Sequence, residues 1–87
     1  MPKVEIYTTP FCPFCERAKA LLKRKKVRFE EFDVFMDGIR REEMKSRAKG
    51  RRTVPQVFID GVGVGGCEEL QALDRTGELD TMLGGTP

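Results

Sequence analysis

Residues 3–8, KVEIYT, alternate polar and apolar side chains, with Val4 and Ile6 on one face, and predict a strand that Pro10 closes. From Pro13 to Lys25 the apolar positions change to helical spacing, and Phe14, Ala18, Leu21 and Leu22 form one stripe. Pro13 suits the first turn of that helix, because the N–H it lacks would have no partner there. The cations at 23–26 fall in its last turn, where they complement the helix dipole. Residues 27–34, VRFEEFDV, predict a second strand. Phe29 and Phe32 have opposite parity, so both faces of this strand are expected to be covered, while Glu30 and Glu31 suit a sheet edge. A weaker helical pattern follows over 39–49, with Ile39, Met44 and Ala48 as its apolar side and Gly50 as its stop.

The clearest local signal lies further on. Gln56–Ile59 and Val62–Val64 flank Asp60-Gly61, a favoured two-residue turn between antiparallel strands. Gly65-Gly66 then leads into a last helix, Cys67–Thr76, with Leu70 and Leu73 inward, and the tail adds a short turn through Leu79, Met82 and Leu83. The order is β-α-β-α-β-β-α. Strands joined by a helix run parallel and the hairpin is antiparallel, so the chain is expected to be an α/β protein with a four-stranded mixed sheet flanked by helices.

Composition narrows the class. Eighty-seven residues make a single domain, 1–87, with no room for a second core. A hydrophobic content of 39% beside 34% charged residues fits neither a disordered chain nor a membrane protein. No apolar run is long enough to span a bilayer, and the first residues lack the apolar stretch of a secretory leader. The expectation is a cytoplasmic monomer with reduced thiols. A net charge of +2 is too small to imply nucleic acid, and the basic clusters at 23–28 and 45–52 lack interleaved aromatics. Both clusters read as solvated helix ends and faces. Arg52 is the exception, since it adjoins Thr53 and is placed to help hold an anionic substrate.

The chemistry rests on cysteine. There are three, and no histidine. Cys12-Pro13-Phe14-Cys15 sits between a strand and a helix, so both thiols fall on one turn, close enough to form a disulfide. Backbone N–H groups at the helix start favour a thiolate at Cys12, the attacking species, and no histidine is needed. Cys15, one turn inside, is the resolving thiol. A zinc site would need a second ligand pair that the chain lacks, so no metal is expected. In Thr53-Val54-Pro55, the proline forces Val54 extended and leaves its N–H and C=O free for a substrate backbone, although such a segment before an edge strand is often only punctuation. In Gly65-Gly66-Cys67-Glu68, glycines before a helix start let the backbone approach an anion, or simply supply positive φ. Gly61, Gly63 and Gly66 also spell GxGxxG, but no βαβ unit follows, which rules out a dinucleotide site. Cys67 has no CxxC partner and is not assigned to catalysis.

Taken together, CPFC at 12–15, TVPQVFI at 53–59 and GGCEEL at 65–70 resemble the glutaredoxin pattern in order and separation, and most nearly its dithiol, bacterial glutaredoxin-3-like group. The resemblance covers nearly the whole chain. It implies a thioredoxin fold, a cis Pro55 and a glutathione groove shared by the three motifs. Cys12 would attack the glutathione sulfur, beside the Phe14 ring. Val54, between Thr53 and Pro55, would pair with the cysteinyl backbone. The amides of Cys67 and Glu68, beside Gly66, would hold the γ-glutamyl carboxylate, with Arg52 near the glycine carboxylate. The implied activity is glutathione-dependent reduction of protein disulfides and glutathione mixed disulfides, with ribonucleotide reductase among the implied partners. Two alternatives remain open here, a redoxin recycled by thioredoxin reductase and a carrier of a glutathione-ligated iron–sulfur cluster. The chain departs from the family at Phe14, where tyrosine is usual, and at Thr9, where lysine is frequent. The second departure leaves Arg52 expected to carry a larger share of anion binding.

Overall fold

The structure, a computed structural model, describes residues 2–84. Its elements are β1 (Val4–Thr8), α1 (Pro13–Arg24), β2 (Glu30–Asp33), α2 (Gly38–Arg47), β3 (Gln56–Ile59), β4 (Val62–Gly65), α3 (Cys67–Thr76) and α4 (Glu78–Met82). The strands form one sheet in the order β2-β1-β3-β4. β1 runs parallel to β2, with Thr8 opposite Asp33, and antiparallel to β3, with Tyr7 opposite Gln56. The hairpin closes at Asp60-Gly61, where φ is +51° and +80°, as a primed two-residue turn requires.

Alternation along β1 and β3 divides the core in two. Val4, Ile6, Val57 and Ile59 face a hydrocarbon layer with Ala18, Leu21 and Leu22 of α1, Leu70 of α3 and Leu79 of α4. Tyr7 and Phe58 face the other way, with Val34 and Met44. The opposite parity of Phe29 and Phe32 fits this arrangement, because each packs on a different face.

β2 is shorter than the pattern predicts. α1 ends with Lys26 in the left-handed region at φ +58°, and the Val27 amide turns back to the Leu22 carbonyl at 3.5 Å. That helix-end motif takes the residues expected to open the strand. α2 stops in the same way. Lys49, at φ +56°, holds the first left-handed position, and Gly50 N–H closes the turn on the Lys45 carbonyl at 2.7 Å. The stop expected at Gly50 therefore falls one residue earlier.

Two predicted apolar positions point outward. Phe14 is 52% and Ile39 83% exposed. Cys15 takes the inward position on α1. On α2 the sheet is covered by arginine instead, with the Arg47 guanidinium 4.2 Å from the Phe58 ring centre and that of Arg40 4.3 Å from Phe32. Arg47 also donates to Glu5 at 2.8 Å and to the Tyr7 hydroxyl at 2.9 Å, and that hydroxyl donates to Glu43 at 2.6 Å. Arg47 thus departs from the solvated face expected for residues 45–52. Among residues 23–26, Lys25 bridges to Asp74 of α3 at 2.6 Å and Asp80 of α4 at 2.9 Å.

Candidate active site

Sheet direction brings three separated segments to one edge. β1 ends there, β3 begins there, and β4 ends there with Gly65 opposite Val57. The connections carrying Cys12, Thr53–Pro55 and Gly66–Glu68 therefore meet.

Cys12 is the N-cap residue of α1, in extended conformation, and its Sγ accepts a hydrogen bond from the Cys15 amide at 3.2 Å. A sulfur at this position takes the role that serine or aspartate oxygen takes at other helix starts. Phe11, just before it, turns the chain in the left-handed region at φ +57°. Cys12 is partly exposed, whereas Cys15 is buried, and all three cysteines are free thiols. Burial, with the hydrogen bond to Cys12 second, pushes the Cys15 thiol up to about 12. The two sulfurs of one short motif are thus divided into an accessible one and a protonated, sheltered one.

Beside them lies an open groove of about 190 Å³, lined by Phe14, Arg51, Thr53–Pro55 and Gly66–Glu69. The Val54–Pro55 bond is cis. The loop before it is pinned by Gln56, buried in β3, whose amide nitrogen donates to the Thr53 carbonyl at 2.9 Å and hydroxyl at 3.2 Å. Phe14 forms part of the wall, with Arg17 5.5 Å over its ring.

The opposite wall is the start of α3. Gly66 caps it without a side chain, and the Glu69 carboxylate accepts from the Gly66 amide at 2.6 Å. Glycine is needed here for space. A methyl group on Gly66 would stand 3.2 Å from the Pro55 carbonyl oxygen, and one on Gly65, itself at φ +100°, 2.6 Å from the Glu69 carboxylate. Cys67 is 5% exposed and joins the hydrocarbon core, and burial pushes its thiol up. Glu68 is exposed on the rim.

Of the residues singled out in the sequence, Phe14, Thr53, Val54, Pro55, Gly66, Cys67 and Glu68 line this groove, with Cys12 and Cys15 at the adjoining helix start. Arg52 does not line it. The cation that does is Arg51, 3.2 Å from Glu69. Sequence reasoning passed over Arg51, Gln56 and Glu69. Glu69 carried a signal, an acid at the third position of a helix that opens after glycine. Among the described residues, no group of three or more metal-ligating side chains comes together, and no helix is long and apolar enough to cross a membrane.

Sheet order, the helices on both faces and a CxxC at the first helix start define a thioredoxin-fold protein. Its first two cysteines are arranged as a thiol–disulfide oxidoreductase requires. A family model, Glutaredoxin, matches residues 4–64, and the chain belongs to the glutaredoxin family. It is 53% identical to Glutaredoxin 3 of Escherichia coli K12 over 83 residues, covering 95% of this chain and 99% of that one. Among solved structures, glutaredoxin from Brucella melitensis matches with a TM-score of 0.81 at 52% identity, covering 93% of this chain and 87% of that one. A buckwheat glutaredoxin–glutathione complex matches with a TM-score of 0.85 at 27% identity, covering 95% of this chain and 77% of that one.

Proposed function

We propose that this glutaredoxin uses glutathione to reduce glutathione mixed disulfides and protein disulfides through Cys12 and Cys15. The observation that carries the proposal is the asymmetry of the pair, with Cys12 accessible and accepting an amide hydrogen bond while Cys15 is buried and held protonated. The buckwheat complex, whose ligand is glutathione, supports the choice of thiol.

With a glutathionylated substrate, the Cys12 thiolate attacks the glutathione sulfur. A Cys12–glutathione disulfide forms, and the substrate sulfur leaves as a thiolate that takes a proton from water. A second glutathione thiolate attacks the glutathione sulfur of that disulfide, releasing glutathione disulfide and restoring Cys12. With a protein disulfide, Cys12 bonds to one substrate sulfur and expels the other. Cys15 then loses its proton to solvent and attacks Cys12 Sγ, freeing the second sulfur. Two glutathiones reduce the resulting Cys12–Cys15 bond and leave as glutathione disulfide. In the groove, the backbone of Val54 pairs with the glutathione cysteinyl unit, and the amides of Cys67 and Glu68 receive a carboxylate.

Cys12→Ser should abolish turnover of both substrate types. Cys15→Ser should retain deglutathionylation and lose protein-disulfide reduction. Equal loss in both variants would refute this division of labour. Assays with glutathione reductase and thioredoxin reductase supplied separately identify the electron donor. The expected result is turnover with glutathione, in a cytoplasmic monomer acting on disulfide-bearing partners such as ribonucleotide reductase.

A second reading has one observation in its favour. A solved structure described as "Metal Binding of Glutaredoxins" is 49% identical with a TM-score of 0.73. An iron–sulfur cluster held by Cys12 and glutathione between two chains would colour the protein brown after anaerobic purification. Pro13 stands against it, and a colourless product is expected.

A further inference from the structure

The groove holds one cation among the described residues, Arg51, and two acids, Glu68 and Glu69. Glutathione presents two carboxylates to such a groove, so the only attractive charge matters more than usual. That charge is already engaged. The same oxygen of Glu69 that accepts the Gly66 amide at 2.6 Å also accepts the Arg51 guanidinium at 3.2 Å. Glu69 has the Gly66 amide as a second, shorter partner, whereas among the described residues the Arg51 side chain has no hydrogen bond besides the one to Glu69. Glu69 therefore stays where it is and Arg51 is the mobile partner. Both side chains are nearly half exposed, at 48% and 45%. A pair of that exposure is held by no more than about a fivefold equilibrium, weak enough for a ligand carboxylate to displace.

We propose that Glu69 is a latch on the groove's cation: it holds the loop cap permanently and Arg51 reversibly, and an anionic glutathionyl substrate must take Arg51 from it. The proposal rests on the glutathione reading above and adds a positioning residue to it. Arg51 touches the substrate, and Glu69 acts through Arg51. The latch sets affinity without touching chemistry, since neither residue contacts the sulfurs. A ligand that lacks a carboxylate leaves the pair intact, so the latch weighs only on anionic ligands.

The test uses steady-state turnover of a glutathionylated cysteinyl peptide at low salt. Glu69→Gln keeps an oxygen for the Gly66 amide and removes the charge. KM should fall by about two- to fivefold while kcat holds, and the gain should shrink in high salt. Arg51→Ala should raise KM by a similar factor and erase the gain of Glu69→Gln in the double variant. A gain that persists without Arg51 would be a general field effect and would overturn the latch, as would an unchanged or higher KM in Glu69→Gln. A readout on the wild-type chain guards against a misfolded variant. Titration with the glutathionylated peptide should shift the Arg51 side-chain Nε–H signal in NMR spectra and leave the Gly66 amide signal in its bonded position. An unmoved Arg51 signal overturns the latch. Wild-type protein that fails to turn over the peptide overturns the glutathione reading and the latch together. Turnover that is indifferent to the charge at residue 69 overturns the latch alone.

Discussion

Cys12 and Cys15 share one helical turn but not one environment. Burial and the neighbouring sulfur push the Cys15 thiol up to about 12, so at about pH 8 it stays protonated. Iodoacetamide at that pH should therefore label Cys12 in the folded, reduced protein and leave Cys15 and Cys67 unmodified until denaturant is added. Peptide mass mapping that finds Cys15 labelled as fast as Cys12 would contradict the asymmetry. The cysteine pair was legible in the sequence because spacing and position carry its chemistry. The groove cation was not. Arg51 and Arg52 are identical side chains in consecutive positions, and which one faces the groove depends on the turn after α2. There Lys49 and Gly50 are both left-handed, at +56° and +90°. A lysine in that conformation has no sequence signature.

At the scale of elements, the loop between β4 and α3 depends on one carboxylate. Glu69→Ala should leave the Gly66 amide without its partner and lower stability by about 1 kcal/mol, or roughly 4–8 °C in Tm for a domain of this size. Glu69→Gln should recover most of that loss, because the amide oxygen still accepts, and thermal unfolding followed by circular dichroism compares the two. The hairpin, α1 and α3 were readable from turn chemistry and apolar spacing. At α2 and its C-cap, Met44 and Ala48 face the core as expected and Ile39 does not. A pattern of apolar residues assigns Ile39 to the core, but the sheet beneath α2 presents aromatic faces, and those accept guanidinium groups as readily as methyl groups. Arg47→Ala should accordingly cost about 2–4 kcal/mol, because Glu5, 7% exposed, loses its ion-pair partner. Urea unfolding measures it, and a loss below about 0.5 kcal/mol would show the arginine to be dispensable.

For the whole molecule, the carboxylates that join elements decide behaviour in acid. Glu5 is held below the ordinary value of 4.5 by the Arg47 hydrogen bond, and Glu69 by the Gly66 amide. Burial pushes Glu31 up, but hydrogen bonds from Thr8 and Lys19 more than reverse it. A carboxyl group lowered in the folded state contributes stability in full above its unfolded value and loses it as pH falls through the folded one. Unfolding free energy should therefore hold near neutrality and decline below about pH 4.5. Arg47→Ala should flatten that decline, because Glu5 then has no charged partner to lose. An equally steep acid limb in the variant would remove Glu5 from the account.

The two faces of the sheet are held differently, by hydrocarbon alone beneath α1, α3 and α4, and beneath α2 by a smaller apolar cluster reinforced by guanidinium groups, where Met44 is the only fully buried helix residue. Salt screens the exposed Arg40–Glu43 pair on the α2 face and leaves the hydrocarbon face almost untouched. Amide hydrogen exchange should then divide the chain into two cooperative units. The amides of α2 should open at a free energy well below that of global unfolding, by a margin that widens as salt is added. The amides of β1, β3 and α3 should exchange together, at a rate set by the whole domain. α2 would then behave as a separable cover that leaves the sheet before the sheet itself unfolds.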